Sequence, residues 1–325
     1  MSDERLRGEW RPGSGSVWVL LTVAAAGAAI FAAGYFGGLG ARAAVFGAML
    51  AYPVAAAVAL LMVTLVILWW AWSLPASRAA VLASAVAVGV VVAVTIGFVA
   101  VRPGPVSPRE MPSRSSSEEV RVLAWNVLKG RVSATQRNEL IAATDADVVV
   151  FPELSPDDPE LAAPPGYQVI GGQGSTVTLF VADRLGQYER AEGDATSIFV
   201  AVPVSEPASP RIVAVHNPRM TLSAPERWQR GLGLITAACS GPNTIAAGDF
   251  NAGRANFHHR GVGACLTSGE ETVSGTWPAV LPARLGTTID HVLATSEWHF
   301  AYERALSVDS ASDHRPVFAI LKRTR

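Results

Sequence analysis

Long uncharged stretches near the start of the chain limit most strongly how it can fold. Acidic residues are absent from Arg11 through Pro108, and uncharged runs of 20 and 23 residues cover 17–36 and 79–101. A helix needs about 20 apolar residues to cross the hydrocarbon core of a bilayer. Each run is therefore predicted to form one transmembrane helix.

The apolar stretch between these two runs, residues 43–77, indicates a third transmembrane helix at about 47–72. Three tryptophans cluster near the end of this stretch, as is typical of a membrane–water interface. A cleavable signal peptide explains the first run poorly, because two more apolar stretches follow it. The sequence thus predicts that residues 17–101 contact a lipid bilayer.

The rest of the chain has the composition of a water-exposed domain. Residues 102–325 hold 24 of the 27 acidic residues, 21 of the 26 basic residues and all six histidines. The segment 102–119 is rich in proline and serine, so it is predicted to link an anchor at 1–101 to a domain at 120–325. The slight acidity of this region disfavours a protein that grips long nucleic acid with a basic face.

Hydrophobic patterns after residue 119 indicate many strands and few helices. Short β-branched and apolar runs predict strands, and longer segments with helical spacing predict helices at 134–146 and 224–239. The strands are placed at 120–127, 147–154, 174–182, 196–204, 211–217, 243–251, 287–295 and 315–321. Helices that fall between such strands favour an α/β sandwich around two sheets.

Polar residues occur at or near the ends of six predicted strands. They are Asn126, Glu153, His216, Asp249 with Asn251, Asp290, and Asp313 with His314. The carboxylates and the Asn126 amide suit a hard cation such as Mg²⁺ or Mn²⁺, which prefers oxygen ligands. The histidines suit phosphate-ester chemistry, in which a base activates water and other groups stabilise negative charge. Zinc is disfavoured, because neither the cysteines nor the histidines have the spacing of a zinc site.

The octet AAGDFNAG, residues 246–253, allows two interpretations. Asp249 and Asn251 are two positions apart, so on a continuing strand their side chains would point to one face and form part of a site. Glycine, aspartate and asparagine are also ordinary components of a turn. The six polar strand ends, taken together, favour the site.

An ordered series of motifs resembles the endonuclease/exonuclease/phosphatase superfamily. The motifs are WNV, FPEL, AVHNPR, GDFN, TW, IDHVL and SDHRPV, and they extend from about Val120 to Leu321. This superfamily includes deoxyribonuclease-type nucleases, abasic-site endonucleases, neutral sphingomyelinases and inositol-polyphosphate phosphatases. The chain looks most similar to actinobacterial members with a multi-span N-terminal anchor. The resemblance implies a four-layered α/β sandwich, preceded here by three transmembrane helices, with the site at one edge of the two sheets.

The resemblance also implies which residues hold the metal. Glu153 is the principal ligand of Mg²⁺ or Mn²⁺, supported by Asn126, and Asp313 lies near the ion. Trp277, in the TW motif, either stacks on the substrate or packs against the core. The metal-ligand set expected from the family is therefore Asn126, Glu153 and Asp313.

Five further residues are expected from the resemblance to take part in catalysis. Asp249 orients or deprotonates the attacking water, and Asn251 binds a phosphate oxygen. His314, oriented by Asp290, is a second candidate for acid–base work. His216 takes a position that holds histidine in the deoxyribonuclease and sphingomyelinase branches. Which group is the general base stays open at this point.

These residues predict a membrane-anchored, metal-dependent hydrolase of a phosphodiester or a phosphomonoester. Its substrate is either a nucleic acid, cleaved outside the cytoplasm, or a phospholipid or inositol-phosphate headgroup. A binding module on a phosphoesterase-like scaffold is the non-enzymatic alternative, and the intact GDFN and SDH motifs count against it.

The two cysteines bear on where the domain lies. Cys239 and Cys265 stand outside any metal-site spacing, which favours a disulfide in an oxidising compartment over two buried thiols. Arginines are divided almost evenly between the two sides of the predicted spans, but the first span often sets the orientation, with the N-terminus inside. Three spans then place the domain outside the cytoplasm. We expect a multi-pass protein of the cell membrane with an extracytoplasmic catalytic domain.

Overall fold

The computed structural model describes residues 102–324, except 160, 192–195, 207, 222, 258–260 and 269–272, and three isolated positions at 89, 97 and 100. The three predicted transmembrane helices lie outside these described residues, apart from the isolated positions. No helix in the described part is both long enough and apolar enough to cross a membrane. The boundaries at residues 101 and 119 stay predictions.

Strands account for most of the regular structure in the described residues. In chain order they are β1 (Val120–Ala124), β2 (Val148–Pro152), β3 (Tyr167–Ile170), β4 (Val177–Ala182), β5 (Tyr188–Arg190), β6 (Ile198–Pro203), β7 (Arg211–His216), β8 (Thr244–Asp249), β9 (Gly261–Val262), β10 (Cys265–Leu266), β11 (Asp290–Ala294), β12 (Trp298–Ala305) and β13 (Val317–Arg323). The α-helices are α1 (Ala134–Thr144) and α2 (Pro225–Ala238). Short 3₁₀ helices occur at Pro108–Glu110, Asp183–Leu185, Arg254–Phe257 and Ala283–Leu285.

These strands form two sheets, one with the order β12-β13-β1-β2-β4-β3 and one with the order β5-β6-β7-β8-β11-β10-β9. Both sheets mix parallel and antiparallel pairs: β1 pairs parallel to β2, and β7 pairs parallel to β8. The eight predicted strands are confirmed. The strands that were not predicted, β3, β5, β9, β10 and β12, all lie at or beside the edges of the two sheets.

Alternating side chains of the central strands fill the space between the sheets. Val120, Val122 and Ala124 of β1 contact the same core as Ile245 and Ala247 of β8. Successive strand residues point to opposite faces, so the intervening residues must be covered from outside. The interface between the two sheets is therefore the main core of the domain.

One helix covers the outer face of each sheet. Leu140 and Ile141 of α1 pack with Leu123 and Phe318 on the outer face of the six-stranded sheet. Trp228 and Ile235 of α2 pack with Val213, Val215 and Ala246 on the outer face of the other sheet. The predicted α/β sandwich of two sheets is confirmed.

The N-terminus of α1 illustrates why these segments form helices. The Ser133 side chain caps α1 by accepting a hydrogen bond from the backbone N–H of Gln136. At the other end, Asp145 adopts a left-handed conformation and ends the helix. Both signals are local, and the predicted helix at 134–146 matches the observed one closely.

A disulfide joins the end of α2 to β10, the strand beside the edge of the seven-stranded sheet. Cys239 and Cys265 form this bond, with their Cα atoms 5.5 Å apart, as the sequence predicts. The bridge spans the segment that contains the end of β8. It therefore restrains the same strand end that carries Asp249.

Residues 102–119, predicted to be a linker, make specific contacts with the domain. Val106 pairs with Leu306, and its backbone N–H donates to the carbonyl of Ala305 at 3.0 Å. Further along, the Arg114 guanidinium donates to the buried carboxylate of Asp147 at 2.9 Å. Contacts such as these fix the path of this segment over the domain.

Candidate active site

Three neighbouring strands each carry an ionisable residue at the same edge of the sheet, in line with the side chains that face the core. On β8 the inward-facing residues Ile245 and Ala247 lead to Asp249. The register places Asp249 beside His216 of the parallel strand β7 and opposite Asp290 of the antiparallel strand β11. The same alternation that builds the core thus gathers three ionisable groups at one edge of the sheet.

Asp249 lies at the centre of this edge and is buried. Its Oδ2 atom accepts a hydrogen bond from Asn126 Nδ2 at 3.0 Å, and its Oδ1 atom accepts the backbone N–H of Asn251 at 2.8 Å. Burial raises the pKa of Asp249 to about 7, and the negative charge of Asp290 adds to the rise. A carboxylate in this environment can exchange a proton near neutral pH.

His314 and Asp290 form a buried ion pair next to Asp249. The distance from His314 Nδ1 to Asp290 Oδ2 is 2.9 Å. Burial by itself lowers the pKa of His314, but the charge and hydrogen bond of Asp290, with the charges of Asp249 and Asp313, raise it to about 10. The imidazole is therefore a cation at neutral pH.

Glu153 reaches the same edge from the other sheet by leaving the strand alternation. Val148 and Val150 of β2 face the core between the sheets. On a regular continuation of this strand, Glu153 would point to the opposite face. Its φ angle is 61°, a left-handed conformation that residues other than glycine seldom adopt. The turn brings Glu153 Oε1 to 3.1 Å from Asn126 Nδ2 and leaves the carboxylate 23% exposed.

Asn126 connects the two sheets through its amide. Its nitrogen donates to both Glu153 and Asp249, and its oxygen accepts the backbone N–H of Leu128 at 3.0 Å. In this arrangement Asn126 orients two carboxylates, and the expectation that it also ligates a metal directly stays a prediction. Ser312 holds the end of β1 here by donating to the Asn126 carbonyl at 2.6 Å.

His216 faces the exposed side of the site. Its Nδ1 atom lies 2.8 Å from the Thr176 hydroxyl, and its Nε2 atom lies 3.9 Å from Glu153 Oε1. Burial lowers the pKa of His216 below its ordinary value, although the charge of Glu153 opposes this effect. His216 is therefore neutral at physiological pH and differs in charge from His314.

Asn251 lies beyond the end of β8 and has a φ angle of 47°. Its side-chain nitrogen donates to the carbonyl of Asn217 at 2.8 Å and to Asp249 Oδ2 at 3.2 Å. Because its backbone N–H also binds Asp249, the two residues close a turn around one carboxylate. The octet therefore forms a turn, and this turn also holds the carboxylate of Asp249 in the candidate site. The two interpretations of the octet do not exclude each other.

Asp313 stands at the exposed rim, and Trp277 holds it there. The indole Nε1–H of Trp277 donates to Asp313 Oδ2 at 3.1 Å. Asp313 Oδ1 lies 4.0 Å from Nε2 of His314. The structure thus brings all eight predicted site residues into one connected network, and Trp277 contacts that network through a hydrogen bond.

The sequence of the domain matches the model of a known protein family. The model described as the endonuclease/exonuclease/phosphatase family matches residues 123–314, which covers more than half of the chain and contains every site residue named above. The chain belongs to the endonuclease/exonuclease/phosphatase family. Members of this family are metal-dependent phosphoesterases and nucleases.

The chain is also similar to solved structures at low sequence identity. The endonuclease domain of TRAS1, a telomere-specific non-LTR retrotransposon, is 13% identical, covers 64% of this chain and 100% of that domain, and has a TM-score of 0.49. An AP endonuclease from Archaeoglobus fulgidus is 15% identical, with 62% and 98% coverage and a TM-score of 0.45. The inositol polyphosphate 5-phosphatase domain of SPsynaptojanin is 14% identical, with 63% and 86% coverage and a TM-score of 0.43. A search of curated proteins gives no match.

The residues of this family member fit a divalent cation. Asp290 Oδ1 and Asp313 Oδ1 are buried oxygen atoms without a hydrogen-bond partner among the described residues. Asp249, Asp290 and His314 offer potential ligand atoms that all lie within 4.8 Å of one another. Glu153 and Asp313 add carboxylates with 23% and 44% exposed side chains. A set of carboxylate oxygens suits Mg²⁺ or Mn²⁺.

Two residues that contact the site, Thr176 and Trp125, were not predicted from the sequence as part of it. Thr176 fixes the His216 ring, and its carbonyl accepts the backbone N–H of Glu153 at 2.7 Å. Trp125, fully buried, donates its indole N–H to the carbonyl of His314 at 3.1 Å. Trp125 lies in the WNV motif next to the predicted residue Asn126, so the motif could have identified it. Nothing in the sequence distinguishes Thr176, which directly precedes β4, from the other threonines of the chain.

Proposed function

We propose that this protein is a membrane-anchored, divalent-metal-dependent phosphodiesterase that cleaves its substrate with an activated water. The observation that carries the proposal is the environment of Asp249. This buried carboxylate is held by Asn126 and Asn251, stands opposite Asp290, and has a pKa of about 7. A general base works best when its pKa lies near the operating pH.

The cation is assigned to the exposed side of the network. The Glu153 and Asp313 side chains are partly exposed, at 23% and 44%, and their carboxylates can take up an ion without losing a buried ion pair. His314 is less suitable as a ligand, because its proton is stabilised by Asp290 and a protonated imidazole has no free lone pair. A cation bound here would polarise the phosphoester and stabilise the charge that develops on its oxygens.

Asp249 is the proposed general base. Its Oδ1 and Oδ2 atoms are both oriented by asparagine N–H groups, so the carboxylate is preorganised before a water arrives. Deprotonated Asp249 takes one proton from the water as the water oxygen attacks phosphorus. The predicted contact of Asn251 with a phosphate oxygen would require its amide to exchange a hydrogen bond with Asp249 or Asn217.

His314 is the proposed cationic donor. Nδ1 is occupied by Asp290, so Nε2 carries the other proton on the side of Asp313. A positively charged donor at this point stabilises negative charge that grows on the phosphoryl oxygens. His216, which is neutral, is assigned the tautomer with its proton on Nε2, because the Thr176 hydroxyl can donate to Nδ1.

We also propose an extracytoplasmic position for the domain. The disulfide between Cys239 and Cys265 supports this, because such bonds persist in oxidising compartments. Thiol labelling of intact cells, combined with protease added from outside, tests the orientation. Two free thiols in unreduced protein and a domain protected from the protease would place the domain in the cytoplasm instead.

Hydrolysis of bis(p-nitrophenyl) phosphate by the purified full-length chain tests the reaction. Activity should disappear with a chelator and return with Mg²⁺ or Mn²⁺. In H₂¹⁸O, one labelled oxygen should enter the p-nitrophenyl phosphate product, because water attacks phosphorus. Hydrolysis that persists in the chelator, or a product without the label, contradicts the proposed reaction.

A further inference from the structure

Arg102 contacts a loop of the active site directly after the last predicted transmembrane helix. The side chain is buried, and its Nη1 atom donates to the carbonyls of Arg284 and Gly286 at 2.8 and 2.9 Å. Val106 fixes the next part of the chain against Ala305. Arg102 directly follows the last residue of the predicted span 79–101. The chain would therefore leave the bilayer next to this loop, at a distance no longer than the Arg102 side chain.

This loop, residues 275–286, is here named the Trp277 loop, and it is attached to the catalytic centre. Trp277 donates to the carboxylate of Asp313, and the backbone N–H of Ala279 donates to the Asp313 carbonyl at 2.7 Å. The guanidinium of Arg315 binds the carbonyls of Gly275 and Ala279 at 3.1 and 2.7 Å. The Trp277 loop therefore connects Arg102, which follows the predicted span, to the rim of the site.

The tip of the Trp277 loop is apolar and faces water. Residues 274–283 contain no charged side chain, and Val280 is 87% exposed, the highest value among the large hydrophobic residues of the described part. The side chain of Arg284, at the base of the loop, is exposed as well. An apolar tip flanked by a basic residue is the arrangement expected of a segment that enters the headgroup region of a bilayer.

From these three observations we infer that the Trp277 loop docks on the membrane that holds residues 17–101, and that the substrate is a phospholipid in that membrane. The inference rests on the proposed phosphodiesterase function. Hydrolysis adds one water across one P–O ester bond: the water oxygen bonds to phosphorus, and the departing alcohol takes up a proton. The near balance of 24 acidic and 21 basic residues in 102–325 favours a lipid over nucleic acid, which proteins usually bind with a basic surface.

Docking is tested first without reference to activity. The full-length chain is reconstituted in vesicles of phosphatidylcholine and phosphatidylglycerol, and a nitrobenzoxadiazole dye is attached to a Val280→Cys variant. Brominated lipids should quench this dye. The matched control is Val204→Cys, because Val204 is 59% exposed and follows the end of β6 that lies away from His216. Equal quenching at both positions, or none at Val280, overturns the docking.

The substrate class is tested with the same vesicles. Val280→Asp should lower hydrolysis of vesicle phospholipid about tenfold, as expected when one apolar side chain can no longer leave water. Hydrolysis of bis(p-nitrophenyl) phosphate should not change, and Val204→Asp should change neither reaction. Equal losses on both substrates would mean that the loop acts only within the site, which overturns the inference.

A linker insertion tests the role of the membrane exit. Twenty glycine and serine residues placed between Val101 and Arg102 leave the Arg102 contacts intact but allow the domain to move roughly 25 Å from the span. Hydrolysis of vesicle lipid should fall about tenfold because the effective concentration of the membrane surface is lower, and hydrolysis of the soluble substrate should not change.

Wild-type protein that cleaves DNA faster than vesicle lipid refutes the lipid assignment alone. Protein that cleaves no phosphodiester with any divalent cation refutes the proposed function, whereas the quenching result still stands.

Discussion

The carboxylate of Asp290 lies 2.9 Å from Nδ1 of His314, so a fully buried anion fixes both the orientation and the charge of this imidazole. The two residues come from different sheets: Asp290 begins β11, and His314 precedes β13. Their contact therefore depends on how the two sheets pack. The packing of the two sheets thereby determines the positive charge of His314.

Asp290→Asn should lower turnover by about 10²–10³-fold, the usual size of the loss of one electrostatic donor in the transition state. The asparagine can still bind the ring, but it carries no charge, so the pKa of His314 should fall below about 10. Activity needs the charged imidazole, and the alkaline limit of kcat/KM should therefore move to lower pH. NMR titration of the histidine ring measures the pKa shift directly.

Asp183→Asn is the matched control for this variant. Asp183 is exposed and follows the end of β4 that lies away from Thr176 and the site. Its substitution should leave turnover and the His314 titration unchanged. If Asp290→Asn keeps turnover within threefold of wild type, the ion pair is structural and His314 acts without it.

Glu153→Gln should weaken binding of Mn²⁺ at least about 100-fold, since even residues that only support metal ligands are worth about 10–100-fold. The change keeps the size of the side chain and its contact with Asn126, and it removes the charge. Electron paramagnetic resonance of free Mn²⁺ measures the affinity without any assay of activity. Glu139→Gln, an exposed glutamate on α1, is the control. Unchanged Mn²⁺ binding in Glu153→Gln would move the metal to another group.

The central part of the fold is predictable from the sequence because each central strand is buried on both faces. All five residues of β1 are buried, and so are all five of β2. The unpredicted strand β12 mixes buried, half-buried and exposed residues without a regular alternation, and only one residue of β3 is buried. Edge strands bury less apolar surface, so their patterns are weaker and resemble those of loops.

The site is predictable where it continues a strand and unpredictable where the chain turns. Asp249 and Asp290 were predicted because they lie near strand ends, which the sequence pattern contains, whereas the register that sets them opposite each other is seen only in the structure. Glu153 was predicted from its strand end and its motif, but its position depends on its own left-handed backbone conformation, which no sequence pattern indicates. The contacts of Trp277 and Arg102 join segments far apart in sequence, so local patterns carry no information on them.

Acid should destabilise the protein through His291. This residue is buried, its Nε2 atom lies 2.8 Å from the carbonyl of Ala252, and burial lowers its pKa to about 4. Between about pH 6.5 and 4 the unfolded chain binds a proton that the folded protein does not. The free energy of unfolding should therefore fall by roughly 3 kcal/mol as the pH falls through this range.

Denaturant unfolding at several pH values checks this effect. His291→Gln should show a weaker loss of stability between pH 6.5 and 4 than wild type, because glutamine does not titrate. His299→Gln, at an exposed position on β12, should keep the wild-type pH dependence. If His291→Gln loses as much stability in acid as wild type does, other groups are responsible.

Substitutions of Asn251 separate the turn from the chemistry. At its φ of 47°, alanine is strained by about 1–2 kcal/mol, whereas glycine is not. Both Asn251→Gly and Asn251→Ala keep the backbone N–H that binds Asp249 Oδ1, and both lose the amide that binds Oδ2. Turnover should fall about 10²–10³-fold in both variants, as for the loss of one transition-state donor. Only the alanine variant should also lose about 1 kcal/mol of stability, because its backbone is strained.

The control is Asn243→Gly at the opposite end of β8, where φ is 51°, and it should leave turnover unchanged. Turnover of Asn251→Gly within threefold of wild type would mean that Asn251 serves the turn alone.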